Sequence, residues 1–307
     1  MKLVTTTEDY ARYLSSDIER IKKLHAAGFR YVDLSMYSWK LNSVYMNDGW
    51  QEAVNDLKTE ADRLGMKFVQ AHSQGGNPLH GDEAHVAFLT AATLRSLEIC
   101  SMLEIPNTVV HFGKASGVEK EEWFEKNRAF YNKLLPTASS LGVNILIENS
   151  TKINTGDKYW TNTGAEMLEF LRFVGHPNLH ACWDTGHANC EGAQYDDIMT
   201  LGEELYAIHY HDNHGTADEH LIPFFGTMNH DEVINALVDS GFARRGGYFT
   251  LEAVSSLVAK KAFPKSRRVF DRDERLAEPQ IFMQDTLEKF LYDTAKYMLS
   301  SYGLFEE

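Results

Sequence analysis

Short apolar runs alternate with longer amphipathic stretches along the whole chain. Seven apolar runs predict buried strands, because they are short, rich in β-branched or aromatic residues and bounded by turn-forming residues. They are YVDLS (31–35), KFVQAH (67–72), LEIPNTVVHF (103–112), NILIEN (144–149), HPNLHACWD (176–184), ELYAIHYHD (204–212) and YFTLEA (248–253). The amphipathic stretches predict eight helices, over residues 8–26, 49–64, 83–103, 118–141, 163–174, 196–204, 229–240 and 281–300.

Regular alternation of strands and helices over 307 residues is typical of a doubly wound sheet or of an eight-stranded barrel. No Gly-x-Gly-x-x-Gly turn follows a predicted strand, which favours the barrel. A barrel requires one further strand, and we expect it near Leu221, Ile222 and Pro223. The sequence therefore predicts an α/β fold, a single (β/α)8 TIM barrel comprising residues 1–307 as one domain, with its active site at the C-terminal ends of the strands.

Nearly every predicted strand ends on a residue that can bind a metal or transfer a proton. These residues are His72, His111, Glu148, Asp184, His209, His211 and Glu252. In a parallel barrel the C-terminal ends of all strands converge on one mouth. Burying several carboxylates and imidazoles together costs several kcal/mol unless a cation neutralises them. The pattern therefore indicates a divalent metal site rather than a set of unrelated structural residues.

The candidate ligands are Glu148, Asp184, one imidazole and Glu252. Carboxylate oxygens with a single imidazole suit Mn²⁺, Mg²⁺ or Co²⁺ better than Zn²⁺, although zinc is compatible with the set. Alternation along the strand does not choose between His209 and His211, because both point to the same face. The residues alone therefore predict one divalent ion and leave its imidazole ligand open.

These motifs resemble the xylose-isomerase-like barrel superfamily, which contains the sugar phosphate isomerases/epimerases and endonuclease IV. The segments that carry the resemblance are Ile147-Glu148-Asn149, Trp183-Asp184-Thr185-Gly186-His187, His209-Tyr210-His211-Asp212-Asn213, Asp218-Glu219-His220-Leu221-Ile222-Pro223 and Leu251-Glu252-Ala253. The resemblance implies a metal held by Glu148, Asp184, His209 and Glu252, and so selects His209 as the imidazole ligand. It also implies substrate-binding roles for His72, His111, His187, His211, Asp218 and His220.

Three aromatic or glycine positions refine this expectation. Trp39 lies in a loop near the presumed mouth, where its ring can stack on a sugar or simply cover the barrel. Pro223-Phe224-Phe225-Gly226 replaces the usual Pro-Gly-x-Gly of the family, and we expect the bulky phenylalanine to narrow the pocket. Gly215 stands where members resembling ketohexose 3-epimerases carry arginine, so the sequence does not support that particular specificity.

The predicted reaction is proton transfer next to a carbonyl of a sugar or sugar phosphate, through a metal-stabilised enediolate. Glu148 and Glu252 are the predicted catalytic residues, one removing the proton and the other returning it. Return to the same carbon is epimerisation and return to its neighbour is isomerisation. Dehydration, as in an inosose-type dehydratase, is a third outcome, and the sequence leaves the three open.

Charge bears on the choice of partner. The chain carries 30 Lys and Arg against 44 Asp and Glu, a net charge of −14, which disfavours nucleic acid. The main alternative is nonetheless a zinc phosphodiesterase like endonuclease IV, because nine residues here match its metal-binding types. The acidic loop DNHGTADEH argues against DNA, and a non-enzymatic binding barrel is the third possibility.

The remaining composition places the protein among soluble intracellular chains. No apolar stretch is long enough to span a membrane, and no secretory signal is visible, so a cytoplasmic location is expected. A homo-oligomer stays open. One basic cluster, formed by Lys260, Lys261, Lys265, Arg267 and Arg268, is interpreted as a solvated loop or subunit contact, with binding of a substrate phosphate or carboxylate as the alternative.

Overall fold

The computed structural model describes residues 1–39, 42–253 and 279–307. The strands in these ranges are β1 (Lys2–Thr6), β2 (Tyr31–Ser35), β3 (Lys67–His72), β4 (Asn107–Val109), β5 (Asn144–Glu148), β6 (Leu179–Asp184), β7 (Leu205–His209) and β8 (Tyr248–Leu251). The α-helices are α1 (Asp17–Ala27), α2 (Trp50–Leu64), α3 (Glu83–Met102), α4 (Lys120–Leu141), α5 (Lys152–Thr155), α6 (Gly164–Val174), α7 (Thr185–Asn189), α8 (Tyr195–Leu201), α9 (His230–Asp239) and α10 (Ile281–Ser301). Short 3-10 helices lie at Thr7–Tyr10, Val44–Met46, Gly202–Glu204 and Ala243–Arg245.

The eight strands form a closed parallel barrel. Strands that are consecutive along the chain pair with each other from β1 to β7, and β1 also pairs with β8, with Thr5 opposite Leu251. The last seam closes between β7 and β8, where Tyr210 and Leu251 form a parallel bridge. At this seam the amide of Tyr210 donates to the carbonyl oxygen of Thr250 at 2.7 Å. The predicted (β/α)8 barrel is confirmed.

A small apolar layer fills the inside of the barrel. It consists of Val109, Leu146, Cys182 and Ala207, which form a buried cluster separate from the main core. Side chains of a strand alternate between its faces, so the residue two positions further on also points inward. Two positions further on are His111, Glu148, Asp184 and His209. The apolar layer is therefore the floor beneath the polar residues at the C-terminal end of the barrel.

Aromatic packing fixes the chain that follows β4. The ring of Phe112 lies 5.0 Å from that of Trp123 in α4 and 4.9 Å from that of Phe170 in α6. Tyr131 in α4 donates its hydroxyl to the carbonyl oxygen of Val110 at 2.8 Å. Because its neighbours on both sides are held in this way, His111 is presented to the barrel mouth from a rigid backbone.

Two predictions about the elements are wrong. The eighth strand does not lie at residues 221–223, where Leu221 forms an antiparallel bridge with Asp212. It is β1, near the N-terminus, whose run of threonines obscures the apolar pattern of a buried strand. The helix predicted over residues 8–26 begins only at Asp17, because Ser16 adopts an extended N-cap conformation with a φ of −102°. The other seven predicted helices agree closely with the structure.

Among the residues that the structure describes, no helix combines the length and apolar character needed to cross a bilayer. The basic cluster between Lys260 and Arg268 lies outside the described residues.

Candidate active site

Four candidate metal ligands meet at the ends of consecutive strands. Glu148 ends β5, Asp184 ends β6, His209 ends β7, and Glu252 directly follows β8. One ligand atom of each residue lies within 4.8 Å of the others. Glu148, Asp184 and His209 are at most 5% exposed, whereas Glu252 is partly exposed. The structure therefore brings the predicted set together, with most of it buried.

Glu148 lies between two imidazoles. His111 Nε2 is 2.8 Å from Glu148 Oε2, and His209 Nδ1 contacts Glu148 Oε1. Burial acts to raise the pKa of Glu148, but attraction to His209 and His111 outweighs burial and holds the pKa well below its ordinary value. At neutral pH Glu148 is therefore a carboxylate, the form that accepts a proton or binds a cation.

Asp184 is held by backbone and side-chain partners. The amide of His187 donates to Asp184 Oδ1 at 2.6 Å, so Asp184 caps α7. His211 Nε2 lies 3.0 Å from the same oxygen. The side chain of Asn149 donates to the Asp184 carbonyl at 2.9 Å and accepts from its amide at 2.7 Å. A Cβ atom at Gly186 would lie 1.9 Å from the His211 ring, so this turn requires glycine.

A second group of ligand-type residues shares the same mouth. Asp218 Oδ2 lies 3.3 Å from His187 Nε2, and Asp218 Oδ1 lies 3.1 Å from His220 Nε2. Burial opposes ionisation of Asp218, but the two imidazoles lower its pKa far below the ordinary value. His220 has a φ of +51°, a left-handed conformation that costs a non-glycine residue about 1–2 kcal/mol. Such strain is typical of functional sites.

His72, His111 and Glu148 form a third group of potential ligands. His72 Nε2 lies 3.0 Å from His111 Nε2. Burial lowers the pKa of His72 to about 3, with a further contribution from the neighbouring His111. His72 is therefore neutral at physiological pH. Its Nδ1 lies 2.9 Å from the carbonyl oxygen of Ser73, the geometry of a donor, which leaves Nε2 as the nitrogen with a free electron pair.

The three groups open into one cavity of about 540 Å³. The residues that line the cavity are Glu8, Ser35, Tyr37, Ser38, His72, His111, Lys114, Glu148, Asn149, Ser150, Asn154, Tyr159, His187, Asp218, His220 and Glu252. A larger groove, of about 830 Å³, lies against α3 and α4 on the outer surface, away from these side chains. The cavity at the barrel mouth therefore combines concave shape with reactive groups, which is typical of an active site.

Tyr37 is a cavity residue that sequence reasoning missed. Its ring is 42% exposed and lies edge-on to those of His72 and His111, at 5.1 Å and 5.5 Å. Trp39, two residues further along the same loop, stacks on Tyr45 at 5.1 Å and is not part of the cavity lining. The loop is irregular, so no periodic pattern in the sequence indicates which of its rings faces the mouth.

Three other predicted pocket residues lie elsewhere than expected. His211 is 0% exposed, so it supports Asp184 from behind rather than lining the cavity. Phe224 and Phe225 are 52% and 58% exposed and lie outside the lining. The expectation that they narrow the pocket is therefore wrong. Phe224 has a φ of +75°, which explains why glycine suits this position.

The donor set fits a divalent cation. Glu148, Asp184 and Glu252 supply carboxylate oxygens and His209 supplies a nitrogen, the combination favoured by Mn²⁺, Mg²⁺ or Co²⁺ and accepted by Zn²⁺. Within the described parts of the chain, the ion-pair contacts of these three carboxylates are with histidines only. Several buried carboxylates without Lys or Arg partners favour binding of an external positive charge.

Comparison with known proteins places this geometry in a family. The model of the xylose isomerase-like TIM barrel matches residues 21–272. An L-ribulose 3-epimerase of Methylomonas sp. is 26% identical over 215 residues, 66% of this chain and 70% of that protein. A fructoselysine 3-epimerase of Shigella flexneri is 27% identical over 155 residues, 47% of this chain and 52% of that protein. The matched stretches span 41%, 47% and 52% of the first three curated relatives, about half of their length.

Solved structures with the same fold extend over almost the whole chain. A D-tagatose 3-epimerase-like protein superposes with a TM-score of 0.71 at 19% identity, covering 98% of this chain and 100% of its own. An L-ribulose 3-epimerase superposes with a TM-score of 0.73 at 16% identity, covering 98% of this chain and 95% of its own. The family match, the closed barrel and the strand-end residues agree: the chain belongs to the xylose isomerase-like TIM-barrel family.

Proposed function

We propose that this protein is a divalent-metal-dependent sugar epimerase or isomerase that transfers a proton next to the carbonyl of a ketose. The observation that carries the proposal is the position of Glu148 and Glu252. Both carboxylates line the same cavity, and both belong to one four-residue ligand group with Asp184 and His209. Relatives named as 3-epimerases of ribulose and fructoselysine support the choice of a sugar substrate.

The four ligands divide into two roles. Asp184 and His209 are almost fully buried, so they would hold the ion from below. Glu148 and Glu252 also reach the cavity, so they can face the substrate. A bound divalent ion would supply positive charge to the carbonyl oxygen of the sugar as negative charge develops there.

Proton transfer is assigned to the two glutamates. Burial opposes ionisation of Glu148, but the neighbouring imidazoles outweigh burial and hold its pKa low. Glu148 is therefore ionised. One glutamate would accept the proton from the carbon and the other would return one, and the stereochemistry depends on which face receives it. The sugar hydroxyls would bind to His187, Asp218 and His220, which face the same cavity.

Exchange of substrate hydrogen with solvent tests this assignment. In D₂O, a ketose substrate should incorporate deuterium at the carbon next to the carbonyl, as followed by NMR. Glu148→Gln and Glu252→Gln should each lower the rate by about 10²–10⁴-fold, the usual contribution of a general acid or base. Glu219→Gln is the matched control, because Glu219 contacts His214 in a mouth loop and is not part of the cavity lining. Full exchange in both cavity variants would contradict the assignment.

A metal-dependent phosphodiesterase like endonuclease IV is the second candidate. It is favoured by one observation: the nine residues that match its metal-binding types fall into more than one potential ligand group. These residues are His72, His111, Glu148, Asp184, His187, His209, Asp218, His220 and Glu252. Against it, Lys114 is the one Lys or Arg in the described cavity lining, whereas contact with several phosphates requires several cations. Three bound zinc ions together with cleavage of abasic-site DNA would favour the phosphodiesterase, and one ion with ketose exchange would favour the epimerase.

A further inference from the structure

Gln70 on β3 reaches across the barrel interior to His209. Its side chain is 2% exposed, and Gln70 Nε2 lies 2.8 Å from His209 Nε2. The other ring nitrogen, His209 Nδ1, faces Glu148 and lies 3.5 Å from Glu252 Oε2. His209 therefore turns one nitrogen toward the proposed ligand group and the other toward Gln70.

The Gln70 amide lies against buried polar groups on β8, across the barrel, and on the adjacent strand β2. Thr250 Oγ1 donates to Gln70 Oε1 at 3.2 Å, and Asp33 on β2 is paired with Gln70 in the register of the sheet. Asp33 is 2% exposed, and its Oδ2 has no hydrogen-bond partner among the described residues. Polar groups this deeply buried constrain one another, so the position of Gln70 is fixed more tightly than packing alone requires.

A glutamine amide can pair with His209 Nε2 whether or not that nitrogen carries a proton, because the amide offers both a donor and an acceptor. As placed, the Gln70 amide donates to His209 Nε2, which leaves the proton on Nδ1, where it bonds to Glu148. If Nδ1 binds a cation, it carries no proton, and the proton on Nε2 needs an acceptor. A half-turn of the amide places Oε1 at that position.

We propose that Gln70 is a positioning residue that determines which nitrogen of His209 carries the proton, and so prepares Nδ1 to bind the cation. This inference rests on the proposed function, because it takes His209 as a ligand. It adds a residue outside the four ligands and outside the cavity lining. Gln70 acts through the imidazole and does not touch the substrate.

Metal affinity of designed variants tests the role of Gln70. Gln70→Leu removes both donor and acceptor, and should weaken Mn²⁺ binding by roughly 10–100-fold, the usual effect of losing an outer partner of a ligating histidine. Gln70→Glu keeps an acceptor facing His209 Nε2 and should retain wild-type affinity. Thr108→Val is the matched control, because it removes a buried hydroxyl on β4 that bonds to Ser73 Oγ at 2.8 Å, away from the four ligands.

A spectroscopic measurement on the unaltered protein gives an independent reading. In the protein loaded with diamagnetic Zn²⁺, ¹⁵N NMR should show the His209 proton on Nε2, and a proton on Nδ1 would overturn the proposal. Wild-type Mn²⁺ affinity in Gln70→Leu, or equal weakening in Gln70→Leu and Gln70→Glu, would also overturn it. Absence of Mn²⁺ binding by the wild-type protein would instead contradict the proposed function itself.

Discussion

Two groups of buried carboxylates lie in this barrel, and their surroundings differ. At the mouth, every ion pair of Glu148 and Asp184 within the described residues is with a histidine. Beside β1, Asp9 and Glu288 face each other with no imidazole among their hydrogen-bond partners in the described chain. The hydroxyl of Thr5 lies between the two carboxyl groups and donates to Glu288. Thr5 Oγ1 is 3.0 Å from Asp9 Oδ2 and 2.9 Å from Glu288 Oε1.

The pKa values of the two groups shift in opposite directions. Burial and the neighbouring carboxylate raise the pKa of Asp9 well above its ordinary value, and burial raises the pKa of Glu288 to about 7. Burial also acts on Asp184, but attraction to His187 and His211 lowers its pKa. Burial of carboxylates alone therefore does not define a metal site. A buried carboxylate surrounded by imidazoles stays charged, whereas one that faces another carboxylate holds a proton.

The largest predicted difference between the two groups is in the rate of the catalysed exchange. Glu148→Gln should reduce deuterium exchange into a ketose by about 10²–10⁴-fold, because it removes a proton acceptor. Glu288→Gln should leave the exchange rate essentially unchanged, because Glu288 joins α10 to β1 outside the cavity lining. A comparable loss in Glu288→Gln would show that the two groups do not have separate roles.

The next difference concerns the pH dependence of stability. The folded protein keeps a proton on Glu288 up to about pH 7, whereas the unfolded chain releases it near the ordinary pKa of 4.5. This group therefore makes the free energy of unfolding decrease as pH rises from 4.5 to 7. At about 1.4 kcal/mol per pKa unit, the decrease is about 3 kcal/mol.

Urea unfolding of the wild type and Glu288→Gln at several pH values measures this decrease. The amide cannot ionise, so the difference in unfolding free energy between the two proteins should shift in favour of the variant as pH rises. A difference that stays constant with pH would show that Glu288 does not hold a proton in the folded protein.

Removal of metal should destabilise the mouth and leave the Asp9–Glu288 pair unaffected. A ligand at 100 times its Kd stabilises a folded protein by about 2.7 kcal/mol. Chelation of Mn²⁺ should therefore lower the Tm of the wild type and of Glu288→Gln by several degrees. The Tm of Asp184→Asn should not respond to the chelator, and an equal response in all three proteins would count against a site at Asp184.

The smallest predicted effect is the loss of a hydroxyl between the paired carboxyls. Thr5→Val should reduce the free energy of unfolding by about 1 kcal/mol, the typical contribution of one hydrogen bond. Thr5→Ser keeps the hydroxyl and serves as the control. Calorimetry near pH 5 compares the two variants. Equal unfolding free energies for Thr5→Val and Thr5→Ser would show that the hydroxyl does not stabilise this pair.

Much of the fold and of the mouth could be predicted from the sequence. Strands such as Asn144–Glu148 and Leu179–Asp184 are apolar up to a terminal carboxylate, so both the strand and its reactive end leave a signal. The strand Lys2–Thr6 leaves no such signal. Its threonines are polar in the sequence, and only the neighbouring strands bury them.

Residues whose roles depend on contacts across the barrel could not be predicted. Gln70 follows an apolar residue on β3 and is separated from His209 by 139 positions. Asp9 and Glu288 look like ordinary surface carboxylates in their local sequence. Whether Tyr37 or Trp39 faces the cavity depends on the path of an irregular loop. In each case the partner comes from tertiary packing, which no local pattern encodes.

We propose that the mouth cluster, and not the Asp9–Glu288 pair, requires a cation. Equilibrium dialysis against Mn²⁺ with elemental analysis tests it most directly on the wild type, Asp184→Asn and Glu288→Gln. We expect a single ion per chain in the wild type and in Glu288→Gln, and none in Asp184→Asn. No bound ion in the wild type, or undiminished binding in Asp184→Asn, would contradict it.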